Sequence, residues 1–574
     1  MFIRVDMTIN NGTYSHATIN RISYAVAIFL LVSIAYLAVI VLYFHSYFNV
    51  ITEALIGPPE DNMLDFWNTW YSQLTLENRP QSFFRTNLVA FPEGTSLYYH
   101  PFSYTNLVLI YILRKILALS DNIPVLLALH NGLLLFSFYL SAIGAFYLTK
   151  RFTRYNIAAF LGGFVFAFSP FHVAHLLHHM PVTTIQYIPF FIICFLKYND
   201  TGEPIYLLGS ILLYFLNALS CWYYLVYIGY FMVFYYVYNA IMEKSYVIKR
   251  LLLSIFANVI GVVLLLLPIL VPMISMGLKK DMYKTGHEEY VADLAGYIVF
   301  HPYHLLAKVS QPIWSNFRGN LWEMTVYLGL VNLGLLIWAL VHRNRVQLKE
   351  IKWVVWGMIV FMALASGPYL YIFGQKTVVL PTAVTAYIPF FKHVRTPSRA
   401  VVFVYLFLGI GVGQAIDTIM DLYSNQKGRL FGWLTLLFIL AGADLYPTRL
   451  ALTPVDCPQA YSVIMQDNDP DYGILDLPAG YYEGNTYMMY QAACHKKPIV
   501  NSSGPKDHNS TITPILALND MEKQKFQLTN KKVKYIVLHK NFSGYDQVKE
   551  KYAKVFRTYK QIYRDDRNIV FKVY

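Results

Sequence analysis

The chain has 574 residues, 56% of them hydrophobic and only 14% charged, with a mean hydropathy of +0.40. A soluble domain carries about 25% charged residues, so lipid is the expected solvent for much of this sequence. The net charge of +13 would suit nucleic acid, but Lys and Arg gather in short loops between apolar runs, which reads as membrane topology and gives no nucleic-acid partner.

A spanning helix needs roughly 20 apolar residues, and about eleven candidate runs follow in chain order. They lie near 22–44, 123–148, 155–171, 182–197, 204–221, 223–241, 251–276, 323–341, 352–373, 398–420 and 430–446. The first, Tyr24 to Phe44, is too long for a cleavable signal core and reads as a signal-anchor helix. With the N-terminus inside, alternate loops carry Lys150-Arg151-Phe152-Thr153-Arg154, Lys197, Lys244 to Arg250, Arg343-Asn344-Arg345 and Lys427-Gly428-Arg429. That distribution obeys the positive-inside rule. The run Tyr104 to Leu119 holds Arg114 and Lys115 in its middle and reads as an interfacial helix on the outer leaflet.

Three large loops then fall outside, at 45–122, 277–322 and 374–397, together with the tail from 447. The first opens Gly57-Pro58-Pro59-Glu60-Asp61-Asn62-Met63-Leu64-Asp65-Phe66-Trp67. The Gly-Pro-Pro turn stops the first helix. A helix starting near Asp61 sets Asp61 and Asp65 on one face, with Trp67 marking the interface. The plain alternative makes Asp61 a helix N-cap and Asp65 a solvated charge. Further along, Phe91-Pro92-Glu93-Gly94 leads to His100.

His172, His175, His178 and His179 gather at an outer helix end, at spacings that suit either a metal or a cavity lining. In the second loop Glu288, Glu289 and Asp293 read as carboxylates facing the site or as a solvated helix face. The third loop ends His393-Val394-Arg395-Thr396-Pro397-Ser398-Arg399. Its cations suit a phosphate, because the guanidinium fork donates two bonds at once, or else they anchor lipid headgroups.

In the tail the pattern shifts to short strand-like pieces at 473–477, 498–500, 535–538 and 569–573, separated by helical stretches. A small α/β domain is expected there. It holds Cys457 and Cys494, which are free to pair or not.

A first helix, a long outer loop opening on an acidic residue, the Phe91-Pro92-Glu93-Gly94 segment, many further helices and an outer tail together resemble the GT-C superfamily of integral membrane glycosyltransferases. Bacterial YfhO-like and dolichyl-phosphate-mannose-type members are the nearest in layout. The resemblance implies an α-helical polytopic membrane protein over residues 1–446 and an extracytoplasmic α/β domain over 447–574. It also implies transfer of a sugar from a polyprenyl-phosphate-linked donor to an envelope glycan, lipid or protein acceptor, at the outer face of a bacterial cytoplasmic membrane.

Asp61 stands where the family keeps its acidic residue, with Asp65 as a secondary catalytic carboxylate. Glu60, Trp67, His100, His172, His175, His393, Arg395 and Arg399 are the expected substrate-binding residues. The family's Asp-x-Asp pattern is broken by Asn62 and Met63. A divalent ion (Mg or Mn) is therefore an open expectation, with Glu288, Glu289 and Asp293 as its carboxylates.

Chemically, a carboxylate within reach of an acceptor hydroxyl can take its proton, while cations stabilise the departing lipid phosphate. A flippase or transporter is the alternative, and a non-catalytic scaffold a third. Transport would want ionisable groups at mid-membrane depth. The runs 24–44, 251–278 and 401–416 hold no Asp, Glu, Lys or Arg.

Overall fold

The computed structural model describes residues 16–77, 82–242, 247–277, 288–342, 348–387, 394–448, 450–501 and 509–574. Among the described residues, six helices are long and apolar enough to cross a membrane: Ser23–Phe48, Ile123–Lys150, Met180–Thr201, Trp222–Met242, Ile248–Met276 and Pro397–Leu422. The chain is a mostly helical, multi-pass membrane protein.

The other expected spans also form helices, but shorter or broken ones, for local reasons. The run 155–171 becomes Asn156–Ala167 and Pro170–Leu176, bent by 44°. Ser169 accepts the His172 N–H and Pro170 takes the first helical position, so a new helix starts there. The run 323–341 is helical only over Leu330–Val341, because Gly329 sits at φ +86° and interrupts the backbone. The run 352–373 stops at Ala365 before Gly367-Pro368 and continues as a hairpin pairing Tyr369–Ile372 with Gln375–Val379. The expected interfacial helix is Tyr104–Ile116, and its Arg114 is buried against Glu77 at 3.1 Å.

Val401 to Thr418 of the helix Val401–Leu422 are all buried. This helix crosses Asn156–Ala167 at Gly162 and Gly409, where a Cβ on either glycine would fall within 2.7 Å of the other's carbonyl oxygen. Small residues at such a crossing let two backbones touch without side chains between them. At the far end Arg154 pairs with Asp417. Arg399 and Asp417 are therefore about 27 Å apart along one helix.

The first loop is a folded unit. Its helix Asp61–Glu77 buries Met63, Phe66, Trp67, Trp70 and Tyr71. The strand Ala54–Ile56 pairs antiparallel with Leu452–Pro454, which ties this loop to the start of the tail. The tail builds a four-stranded mixed sheet in the order Gly473–Leu477, Val533–His539, Asn568–Lys572, Lys560–Arg564, with the first pair parallel and the others antiparallel. Cys457 and Cys494 form a disulfide.

Candidate active site

The Gly57 turn, at φ +111°, presses so close to the Leu177 carbonyl that a side chain there would clash. That approach sets the start of the loop helix against the end of the bent helix pair. Three acidic residues then meet three consecutive residues in order. Glu60 Oε2 lies 3.0 Å from His178 Nδ1, Asp61 Oδ2 lies 3.1 Å from His179 Nε2, and Asp65 Oδ2 accepts the Met180 N–H at 2.8 Å.

A second layer comes from the segment before Leu330 and from the N-terminal end of Pro397–Leu422. His175 Nε2 is 3.8 Å from Glu323 Oε2. Arg399 donates to Glu323 Oε1 through Nε at 2.9 Å and also through Nη2, while Ser398 Oγ donates to Oε2 at 3.1 Å. The Arg399 guanidinium also covers the Tyr223 ring at 4.6 Å. His178 stacks on Trp322 with centroids 3.9 Å apart and bonds the Tyr303 hydroxyl through Nε2.

The two carboxylates of the loop helix are driven in opposite directions. Burial opposes ionisation of Asp61, but the His179 hydrogen bond and charge, the Asn485 amide and the Arg399 charge outweigh it. The carboxyl is held below the usual carboxylate range. Burial pushes Asp65 well above that range, offset in part by the Met180 N–H and reinforced by the Asp61 charge. The surroundings of Asp61 thus favour the carboxylate beside His179, and those of Asp65 favour the protonated acid. Neighbouring carboxylates separated in this way take different roles.

Ligand-type atoms of His175, His179 and Glu323 all lie within 4.8 Å of one another. Among the described residues, both ring nitrogens of His175 and Nδ1 of His179 have no hydrogen-bond partner. Buried imidazole nitrogens left unpaired are costly unless something binds them. The cluster therefore fits a metal ion, with two nitrogen donors and one oxygen.

Of the residues expected from the sequence, Glu60, Asp61, His175 and Arg399 converge here. Asp65 lies one turn behind Asp61 and is almost fully buried. Trp67 faces the tail and donates to Gln491 Oε1 at 2.8 Å. His100 Nε2 is 2.6 Å from Asn68 Oδ1. His172 is directed elsewhere, with Nδ1 on the Ala167 carbonyl and Nε2 on that of Thr183. Arg395 is half-buried, and its charge is felt at Tyr290, whose carbonyl accepts the Ser398 N–H. His393 lies outside the described residues.

The carboxylates expected for a metal are spent differently. Asp293 accepts the N–H groups of Ala295, Phe373 and Gly374 and so fixes the hairpin turn. Glu288 is exposed and pairs with Lys376 at 2.8 Å, and Glu289 is exposed. The metal-type cluster instead uses Glu323, which the sequence hides at the edge of an apolar run. Asn485 is the other residue the sequence does not single out. It reaches the site from the tail, donating to Asp61 Oδ1 at 3.1 Å.

Comparison with solved structures places this architecture. The chain aligns with the Archaeoglobus fulgidus oligosaccharyltransferase tethered with an acceptor peptide at 12% identity and a TM-score of 0.50, over 88% of this chain and 69% of that one. It aligns with arabinofuranosyltransferase AftD from Mycobacteria at 11% identity and a TM-score of 0.57, over 95% of this chain and 40% of that one. At such identities the likeness is one of fold, shared with that oligosaccharyltransferase and that arabinofuranosyltransferase. No curated protein matches the sequence significantly. The family model described as Domain of unknown function (DUF6311) matches residues 109–446, more than half of the sequence, and the chain belongs to that family.

Proposed function

We propose that this protein is a glycosyltransferase that moves a sugar from a polyprenyl-phosphate-linked donor to a glycan, lipid or protein acceptor. The observation that carries the reading is the meeting of an ionised carboxylate, Asp61, with the His175–His179–Glu323–Arg399 cluster at one end of the spanning helices. The GT-C fold supports it, as does the loop helix that builds a polar site beside the helix ends.

In this reading Asp61 takes the proton of the acceptor hydroxyl as that oxygen attacks the anomeric carbon. Asp65 stays protonated and braces the segment at Met180. Arg395 and Arg399 set positive charge where the lipid phosphate departs. His175, His179 and Glu323 would hold a divalent cation, which would supply further charge for that phosphate. Two imidazoles suit zinc-like ions better than Mg.

The site belongs to the outer face of the membrane. The basic loop at Arg151 and Arg154 sits at the opposite end of the same helices, as the positive-inside rule wants for a cytoplasmic side. The disulfide Cys457–Cys494 suits an oxidising compartment. We assign the chain to a bacterial cytoplasmic membrane, with residues 447–574 as an extracytoplasmic α/β domain.

The test is release of free polyprenyl phosphate from a panel of labelled lipid-linked sugars by the purified protein. Release from any one of them, dependent on added acceptor, supports the reading. No turnover across the panel removes it.

A further inference from the structure

The tail does more than cover the loop, because one of its side chains enters the site. The helix Tyr481–Tyr490 lies along Asp61–Glu77, and Tyr487, Met488, Met489 and Ala492 share a core with Met63, Trp67 and Tyr71. The contact is keyed at both ends. Trp67 donates to Gln491, whose own amide donates to the Leu88 carbonyl at 2.7 Å. At the other end Asn485 Nδ2 donates to Asp61 Oδ1.

A carboxylate at the start of a helix ordinarily turns back to cap the free N–H groups of its own first turn. Asp61 is drawn away from that role. One oxygen is taken by Asn485 and the other faces His179 Nε2, so both of its side-chain torsions are fixed. Asn485 is fully buried, and its Oδ1 has no partner among the described residues. A buried amide that leaves its acceptor unpaired weakens the fold, which calls for a reason beyond packing. The reason lies in His179. With Nε2 facing the Asp61 carboxyl at 3.1 Å, it is Nδ1 that is left without a partner among the described residues and free to act as a ligand atom. A carboxylate behind a histidine fixes the tautomer and heading of a metal ligand in this way.

We propose that Asn485 is a positioning residue of this site: held by the tail, it fixes Asp61, and through Asp61 it orients His179 toward the pocket shared with His175 and Glu323. The tail is thereby part of the site rather than a cover for it. The inference rests on the function proposed above only for the identity of the reaction. The geometry concerns the cluster itself.

The test measures Co²⁺ affinity and the visible absorption spectrum of bound Co²⁺ in the full-length, detergent-purified chain. Asn485→Leu keeps the volume and removes the donor. It should weaken Co²⁺ binding roughly tenfold to a hundredfold, the usual effect of losing a partner behind a ligand, and should alter the spectrum. In an Asp61→Ala background, which removes the acceptor of the Asn485 amide, Asn485→Leu should cost nothing further, because its effect passes through Asp61. Gln491→Leu, which loosens the same interface without touching Asp61, should leave affinity and spectrum unchanged.

The proposal is overturned if Asn485→Leu binds Co²⁺ like the wild type, if it weakens binding equally in the Asp61→Ala background, or if Gln491→Leu has the same effect. Absence of Co²⁺ binding in the wild type overturns it too, whatever the activity. Absence of sugar transfer with the expected affinities intact overturns the proposed reaction alone.

Discussion

Arg399 and Glu323 form a buried ion pair in which the guanidinium donates through Nε to Oε1 at 2.9 Å, and both side chains are nearly closed to solvent. Leaving one member of such a pair without its partner costs about 3 kcal/mol or more, because the remaining charge stays buried. Glu323→Ala should therefore lower the thermal midpoint in detergent clearly. Glu288→Ala, which breaks the exposed pair with Lys376, should hardly move it. Equal effects of the two substitutions would contradict the placement of Glu323.

Asp65 gives a pH signature. Its carboxyl is raised by burial, so its share of stability is present at pH values below the ordinary carboxylate range and is lost as pH rises through the raised value. Asp65→Asn cannot ionise and can still accept the Met180 N–H. The difference in thermal midpoint, variant minus wild type, should grow more positive from about pH 4 upward. A difference that stays flat across that range would mean that Asp65 is not buried as described.

How far the sequence reveals this arrangement depends on the distance between cause and effect. Asp61 and Asp65 are legible because the Gly57-Pro58-Pro59 turn and the helix it releases are local. The tail strands at 535–538 and 569–573 are legible for the same reason, since β-branched and aromatic runs between polar breaks state their own preference. The hairpin at 369–379 is not. Tyr369-Leu370-Tyr371-Ile372 extends an apolar run, and a short apolar run does not say whether it is helix or strand.

Glu323 is lost for a related reason. Its run looks like a span, and only the left-handed backbone at Gly329 frees it from the helix. Asn485 stands 424 residues from Asp61, and nothing near it in the chain marks it as part of a site.

Metal content separates the histidines. After dialysis against Zn²⁺ and washing, the wild type should retain about one equivalent, as the cluster of His175, His179 and Glu323 provides one site. His175→Ala and His179→Ala should each weaken retention at least about a hundredfold. His172→Ala should not, since both of its ring nitrogens face backbone carbonyls. Elemental analysis of the purified proteins checks all three.

The disulfide makes a prediction of its own. Of the four cysteines, Cys457 and Cys494 are paired and Cys194 and Cys221 are buried thiols. Maleimide labelling of the unfolded, unreduced chain should count two thiols, and the reduced chain four. The pair closes 37 residues of sequence separation, so replacing both cysteines by Ser should destabilise the tail by about 4 kcal/mol. Four thiols before reduction would contradict the pairing.

Asp61 is proposed as the carboxylate that serves sugar transfer from a lipid-linked donor. Transfer of labelled sugar from a polyprenyl-phosphate donor should be compared directly between the purified wild type and Asp61→Asn. Turnover is expected in the wild type, with a loss of at least about a hundredfold in kcat for Asp61→Asn, the usual scale for removing a general base. Turnover in Asp61→Asn equal to that of the wild type would contradict it.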